Sequence, residues 1–310
     1  MWTESSRERM DGLQLRLATA AAWLGQIAER LGRAPRVLDY GAGTGMLLTL
    51  PLARRCPAFP ITAFDPSPRN IGVLRQAAAG PAFANTRASS DRGVIGGHAP
   101  YDAVICADVL EHLPDPETVL RDIHSLLSPR GWLIVSVPNG FGCFEIGTFI
   151  CDLLWISGLA AGARRWLRRG KLPAPSPDDG AAPADTLEID PHLQFYTAGA
   201  LESLLNRSGF EIAARRNRMF LGGFPFYYLE RWPRLVRWNL RVGEKLPPAW
   251  CSGWLLLCAR SESSDPAPAP RPSRTLRAWT AMKRWSNQNR WRRERPANCD
   301  ALSDLSHSRL

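Results

Sequence analysis

Asp108, Glu111 and His112 fall within five residues of one another, and a second imidazole, His192, follows downstream. Carboxylate and imidazole groups are the side chains whose surroundings can bring them to carry protons near neutral pH. His112 is a candidate base for an oxygen or nitrogen nucleophile that must lose a proton, with Glu111 and His192 as its companions. The competing reading has Glu111 and His112 holding a loop by hydrogen bonds. A second group lies earlier, in Val37-Leu38-Asp39-Tyr40-Gly41-Ala42-Gly43-Thr44-Gly45. Glycines at 41, 43 and 45 permit backbone angles closed to other residues and let a ligand lie against the chain. About twenty residues on, an apolar run from Phe59 to Phe64 ends in Asp65, where a carboxylate suits the paired hydroxyls of a ribose. Together these residues point to a nucleoside-containing cofactor at the carboxyl edge of a parallel sheet.

The elements that must carry these groups alternate between strand and helix patterns. Apolar residues at 13, 17, 20, 24, 27 and 31 predict an amphipathic helix from about Arg7 to Leu31, ended by Gly32 and Pro35. Arg36 to Leu38 leads as a strand into the glycines, and Met46 to Leu50 begins a helix. Ser67 and Pro68 start a helix that Gly80 stops. A weak strand at about Phe83 to Ala88 precedes a loop holding Ser90 and Asp91. Tyr101 to Ala107 is a buried strand with Asp108 to Pro116 at its carboxyl end. A helix from Pro116 to Leu127, a turn at Pro129-Arg130-Gly131 and a strand from Trp132 to Val137 follow. Farther on, Thr197 caps a helix bearing Leu201, Leu204 and Leu205, Gly209 ends it, Phe210 starts a strand, and Trp254 to Arg260 closes the pattern.

The nonapeptide 37–45 has the form hh-D/E-x-G-x-G-x-G and resembles the first motif of class I S-adenosylmethionine-dependent methyltransferases. The segments 101–116 and 127–140 resemble two further motifs of that family in the same order. The resemblance implies an α/β, Rossmann-like fold: a mostly parallel seven-stranded sheet with helices on both faces. It also implies S-adenosyl-L-methionine as cofactor. On that resemblance the backbone of Gly41, Gly43 and Gly45 accommodates the methionine portion, and Asp39 organises the turn or receives the amino group. Asp65 binds the ribose, Asp91 is a weaker candidate for the adenine amine, and Cys106 and Ala107 pass close to the cofactor. The stretch from His192 to Phe210 is similar to a branch containing ubiquinone-biosynthesis O-methyltransferases and enzymes of cell-surface glycan assembly. In ubiquinone-type and small-RNA methyltransferases an acid-x-x-E-H cluster binds a divalent metal, which here would involve Asp108, Glu111 and His112, with His192 as a fourth ligand. Asp108 stands where the usual residue is Glu, and E-H is common in relatives without metal, so no residue is assigned to a metal.

The 310 residues are 45% hydrophobic, ample for a globular core, and carry a net charge of +10. Residues 261–310 hold ten basic and five acidic side chains, half of that excess. The chain therefore divides into a methyltransferase domain, 1–260, with insertions at about 141–191 and 218–250, and a basic tail, 261–310, expected to be disordered. Phe141 to Ala163 is apolar, but Glu145, Asp152 and several glycines argue against a span; a buried or interfacial helix ending in the basic, Trp-bearing stretch Arg164 to Lys171 fits better. A flexible loop is expected at 172–191. Seven cysteines without a C-x-x-C pair read as reduced thiols, and with no secretory pattern the expected location is cytoplasmic, peripheral at the inner membrane surface. The expected reaction is methyl transfer to oxygen of a small or lipid-linked acceptor, a quinone precursor or saccharide, with peripheral contact to anionic membrane. Alternatives are an RNA methyltransferase guided by the basic tail, disfavoured for want of a dedicated RNA-binding domain, and a non-catalytic scaffold.

Overall fold

A strand that is mostly apolar and buried on both faces belongs in the middle of a parallel sheet. In the computed structural model, which describes residues 10–142, 145, 146, 149, 192–221, 232–261 and 277–286, β4 (Tyr101–Ala107) takes that place. The seven strands are β1 (Val37–Tyr40), β2 (Ile61–Phe64), β3 (Thr86–Ser89), β4, β5 (Leu127–Pro138), β6 (Phe210–Asn217) and β7 (Gly253–Arg260), ordered β3-β2-β1-β4-β5-β7-β6. The first five pair in parallel, because helices carry the chain back between them, and β7 runs antiparallel to both β5 and β6.

Helices cover both faces. On one side α1 (Met10–Leu31) and α2 (Thr49–Arg55) place Trp23, Leu24, Ile27, Leu50 and Leu52 against Val37, Ile61, Ala103, Ile105 and Ile134. On the other, α5 (Pro116–Leu126) and α6 (Ala198–Arg207) place Leu120, Ile123, Leu201 and Leu205 against Leu38, Val104 and Val135. Ser67 caps α3 (Pro68–Ala77), accepting the Asn70 N–H, and Thr197 caps α6, accepting the Ala200 N–H.

Several elements depart from expectation. The helix after the glycine turn starts only at Thr49, since residues 41–48 complete the turn first. Residues 92–97, expected as loop, form a short helix, α4 (Arg92–Gly97), capped by Asp91. Pro129-Arg130-Gly131 does not end an element: it lies inside β5, where pairing jumps from Tyr101↔Leu127 to Ala103↔Trp132 and the surplus residues bulge out. The second insertion contains α7 (Pro233–Lys245). The tail, expected to be disordered from 261 onward, contains a helix, α8, at residues 277–286 that packs on the domain. Most of the apolar stretch 141–163, the basic block 164–171 and the loop 172–191 lie outside the described residues. No helix among the described residues is long and apolar enough to cross a membrane.

Candidate active site

The order β2-β1-β4 reverses the direction of winding at β1, and in open α/β sheets the crevice at such a switch point, beyond the strand carboxyl ends, receives ligands. The glycine turn sits there. Gly41, Gly43 and Gly45 all have positive φ, at 79°, 56° and 72°, angles that only glycine adopts without strain. The turn is tied down from beneath. Gly41 and Ala42 both donate to the Phe64 carbonyl at 2.8 Å, and buried Asp39 accepts the Thr49 hydroxyl at 2.6 Å, joining β1 to the start of α2. Of the two roles implied for Asp39, the geometry displays the organising one.

Asp65 reaches the same turn from β2. Its Oδ2 accepts the Gly43 N–H at 2.9 Å, and its Oδ1 accepts Ser67 N–H at 2.9 Å and Asn70 Nδ2 at 3.1 Å. At 3% exposure the carboxylate is folded onto the glycines, and its Oδ2, with one donor, keeps a second lone pair that could accept a hydroxyl. Asp91 is exposed, and its carboxylate accepts Gly93 N–H at 2.7 Å as the cap of α4. Cys106 is fully buried, and burial pushes its thiol well above the ordinary range, so it is an inert neighbour. Ala107 is half-buried at the strand edge.

The segment after β4 folds back over the turn. Val109 packs so closely on Gly41 that a Cβ there would lie 2.5 Å from its Cγ2. Asp108 makes the bend with φ 55°, the sole positive value at a non-glycine among the described residues. Its carboxylate turns toward Arg16 of α1, toward Arg218 Nη1 at 3.1 Å and toward the Ser136 hydroxyl at 2.8 Å. Burial opposes its charge, but Arg218, Arg16 and Ser136 prevail and hold the carboxyl below its usual value. Asp108 is thereby engaged by two arginines and a hydroxyl, while its charge still acts on Glu111 and His192.

The other three residues converge. Ligand atoms of Glu111, His112 and His192 all lie within 4.8 Å of one another, a grouping able to take one divalent ion or to share protons. Glu111 is 1% exposed, and its Oε2 has no hydrogen-bond partner among the described residues. Burial, with the negative charge of Asp108, pushes its carboxyl up to about 8. The His112 and His192 rings meet edge-on at 4.9 Å. Leu193 and Gln194 donate to the Glu111 carbonyl at 2.7 and 2.9 Å, which brings His192 in from far along the chain. The ring Nδ1 of His192 lies 2.8 Å from Oε1 of Glu145. Burial disfavours the imidazolium, but the Glu145 hydrogen bond and the surrounding carboxylates outweigh it and raise the His192 pKa. The loop-fixing role of this segment and its grouping of proton carriers thus coexist: backbone carbonyls fasten the loop while the side chains gather.

Sequence reading missed Arg16, Ser136, Arg218, Glu145 and Lys283. Two of them left a signal: Arg16 sits within the apolar face of α1 between Leu13 and Ala20, and Glu145 is a lone acid amid apolar residues. Such a charge is buried only with a partner.

A family described as a methyltransferase domain matches residues 12–214 of the chain. A ubiquinone biosynthesis O-methyltransferase of Caulobacter sp. (strain K31) is 38% identical over 114 residues, 35% of this chain and 44% of that protein. One from Pseudomonas aeruginosa (strain LESB58) is 32% identical over 114 residues, 36% of this chain and 49% of the relative. The chain thus aligns with less than half the length of these curated relatives. Among solved structures, a magnesium protoporphyrin IX methyltransferase from Synechocystis PCC 6803 with bound SAH is 20% identical, covering 84% of this chain and 89% of its own at a TM-score of 0.48. The family match runs from α1 across the glycine turn and the 108–112 segment into β6, and on it the chain belongs to the methyltransferase-domain family.

Proposed function

We propose that the chain transfers a methyl group from S-adenosyl-L-methionine to an oxygen of a small or lipid-linked acceptor, such as a quinone precursor or a saccharide. The observation that carries this reading is the packing of Val109 on Gly41, because it fastens to the glycine turn the segment that carries Glu111 and His112, which His192 joins. Gly41, Gly43 and Gly45 present a surface free of side chains for the donor, with Asp39 beneath them and Asp65 near the ribose. When bound, the donor supplies a methyl group already activated on a sulfonium, so the protein's part is alignment, water exclusion and removal of one proton. The acceptor hydroxyl loses its proton to the Glu111–His112–His192 group, where His112 is the accepting base while Glu111 still holds its own proton near neutral pH. The acceptor oxygen then forms the new C–O bond as the C–S bond breaks with its electron pair on sulfur.

Support for an amphiphilic acceptor comes from α7. Arg234, Arg237, Trp238, Arg241 and Lys245 are exposed and fall on one side of that helix at three- and four-residue spacing, opposite buried Val236 and Gly243. Trp232 and Trp250, at 62% and 61% exposure, flank it. Basic residues interleaved with exposed Trp suit the surface of an anionic membrane. The RNA-guided alternative loses support at α8, where Lys283 and Arg284 bond to the domain itself.

Calorimetry of S-adenosyl-L-methionine with wild type and Asp65→Ala, followed by transfer of labelled methyl to catechol in solution and to a polyprenylated catechol in vesicles, tests the proposal. Binding that Asp65→Ala loses while staying folded, together with label on the acceptor oxygen, supports it. A folded wild type that binds no donor would sink it and favour the scaffold reading.

A further inference from the structure

Helix α8 packs on the segments around Gly140 and Leu193 and is anchored at several points. The Trp279 indole donates to the Gly140 carbonyl at 3.1 Å, and its ring packs against Phe141 and Phe149 with centroids 5.6 and 5.3 Å away. Arg284 donates to the Leu193 carbonyl at 2.6 Å and to Gln194 Oε1 at 3.3 Å, gripping the loop that bonds to the Glu111 backbone. Between these anchors Lys283 is 0% exposed. Its Nζ lies 2.9 Å from Glu145 Oε2 and 2.7 Å from the Glu145 carbonyl oxygen, and 5.8 Å from the ring centroids of both Phe149 and Phe195. A lysine is almost never fully buried without a partner, and this one has a carboxylate, a carbonyl and two aromatic faces.

The ion pair continues into the active site. With Oε2 of Glu145 facing Lys283 and Oε1 facing Nδ1 of His192, the carboxylate is held at both oxygens. An ionised carboxylate only accepts, so Nδ1 of His192 carries the proton and Nε2 is the nitrogen left for Glu111 and His112. The plane of the ring is set further by His112 at 4.9 Å and Phe195 at 6.4 Å.

We propose that Lys283 is a positioning residue of the active site: acting through Glu145, it fixes the orientation and tautomer of His192, and α8 is a working part of the catalytic centre. Only the catalytic consequence rests on the methyl-transfer reading; the positioning itself does not. The test uses the full-length protein with ¹⁵N-labelled histidine, the His192 signals being identified by their loss in His192→Gln. In wild type, when neutral, His192 is expected as the single Nδ1–H tautomer. In Lys283→Met, which keeps most of the unbranched apolar stem and removes the ammonium group, mixed tautomers are expected. With catechol and S-adenosyl-L-methionine, kcat should fall roughly ten- to a hundredfold while KM for the donor stays within about twofold, as for loss of a group that orients a working imidazole. An unchanged single tautomer in folded Lys283→Met would overturn the proposal. Where that variant fails to fold, Trp279→Ala removes an anchor of α8 without stranding a charge, and an unchanged His192 tautomer there overturns the proposal equally. Because the spectra need no acceptor, wild type that methylates no catechol but shows the tautomer change removes only the catalytic reading.

Discussion

Glu111 keeps its proton in the folded protein to about pH 8 because burial and the neighbouring Asp108 disfavour its anion, whereas the unfolded chain releases it near its ordinary value of 4.5. The native state therefore binds one proton more than the unfolded state across that window, and stability falls as pH rises through it, levelling above about 8. His192 acts in the same sense: its raised pKa contributes stability below its ordinary value of 6.5 that is lost as pH climbs through the folded value. Thermal melts from about pH 5 to about pH 9 should show this decline in wild type and a much shallower one in Glu111→Gln, which is neutral throughout. Asp108 titrates oppositely, its depressed pKa contributing stability that disappears in acid. It also neutralises Arg16, whose side chain is only 6% exposed. Asp108→Asn leaves that cation buried without its anion and should cost about 3 kcal/mol in urea unfolding, the scale for breaking a buried pair.

At the scale of elements, the contact between the glycine turn and the 108–112 segment couples the cofactor crevice to the proton-carrying group. A Cβ at Gly41 meets Val109 at 2.5 Å and must adopt φ 79°, so Gly41→Ala combines overpacking with backbone strain. The expected loss is about 3 kcal/mol, and Val109→Ala in the same chain should restore the clash component but not the strain. Urea midpoints of the single and double variants separate the two; full recovery in the double variant would mean that the angle at residue 41 carries no cost.

For the whole molecule, the basic, Trp-bearing side of α7 presents the domain to its surroundings. Reversing one charge and removing one ring, as in Trp238→Ala with Arg241→Glu, should weaken binding to anionic vesicles roughly tenfold or more, given about 1 kcal/mol for each basic group near such a surface. Binding to zwitterionic vesicles and the melting temperature should change little. Equal sedimentation of wild type and the double variant with anionic vesicles would remove α7 as the contact.

The amino-acid sequence by itself determined the elements whose causes are local. Alternating apolar runs and helical periods set β1, β4, β7, α1 and α5, glycine spacing set the turn, and Ser67 and Thr197 set the starts of their helices, since each rests on neighbours a few residues away. Those patterns also carried Glu111, His112 and His192 as a candidate group. Only the tertiary structure decided which acids join it. Asp108 has the spacing to belong, yet Arg16 and Arg218, distant in the chain, engage its carboxylate. Asp65 and Asp91, alike in position after a strand, separate into a carboxylate buried on the glycines and an exposed helix cap. Lys283 reads as one basic residue in a solvated tail, because composition reports the average character of a segment, whereas burial of a single charge depends on the partner that folding brings to it. Here that partner is Glu145, a lone acid in an apolar stretch, and the pair links the end of the chain to the imidazole at its centre.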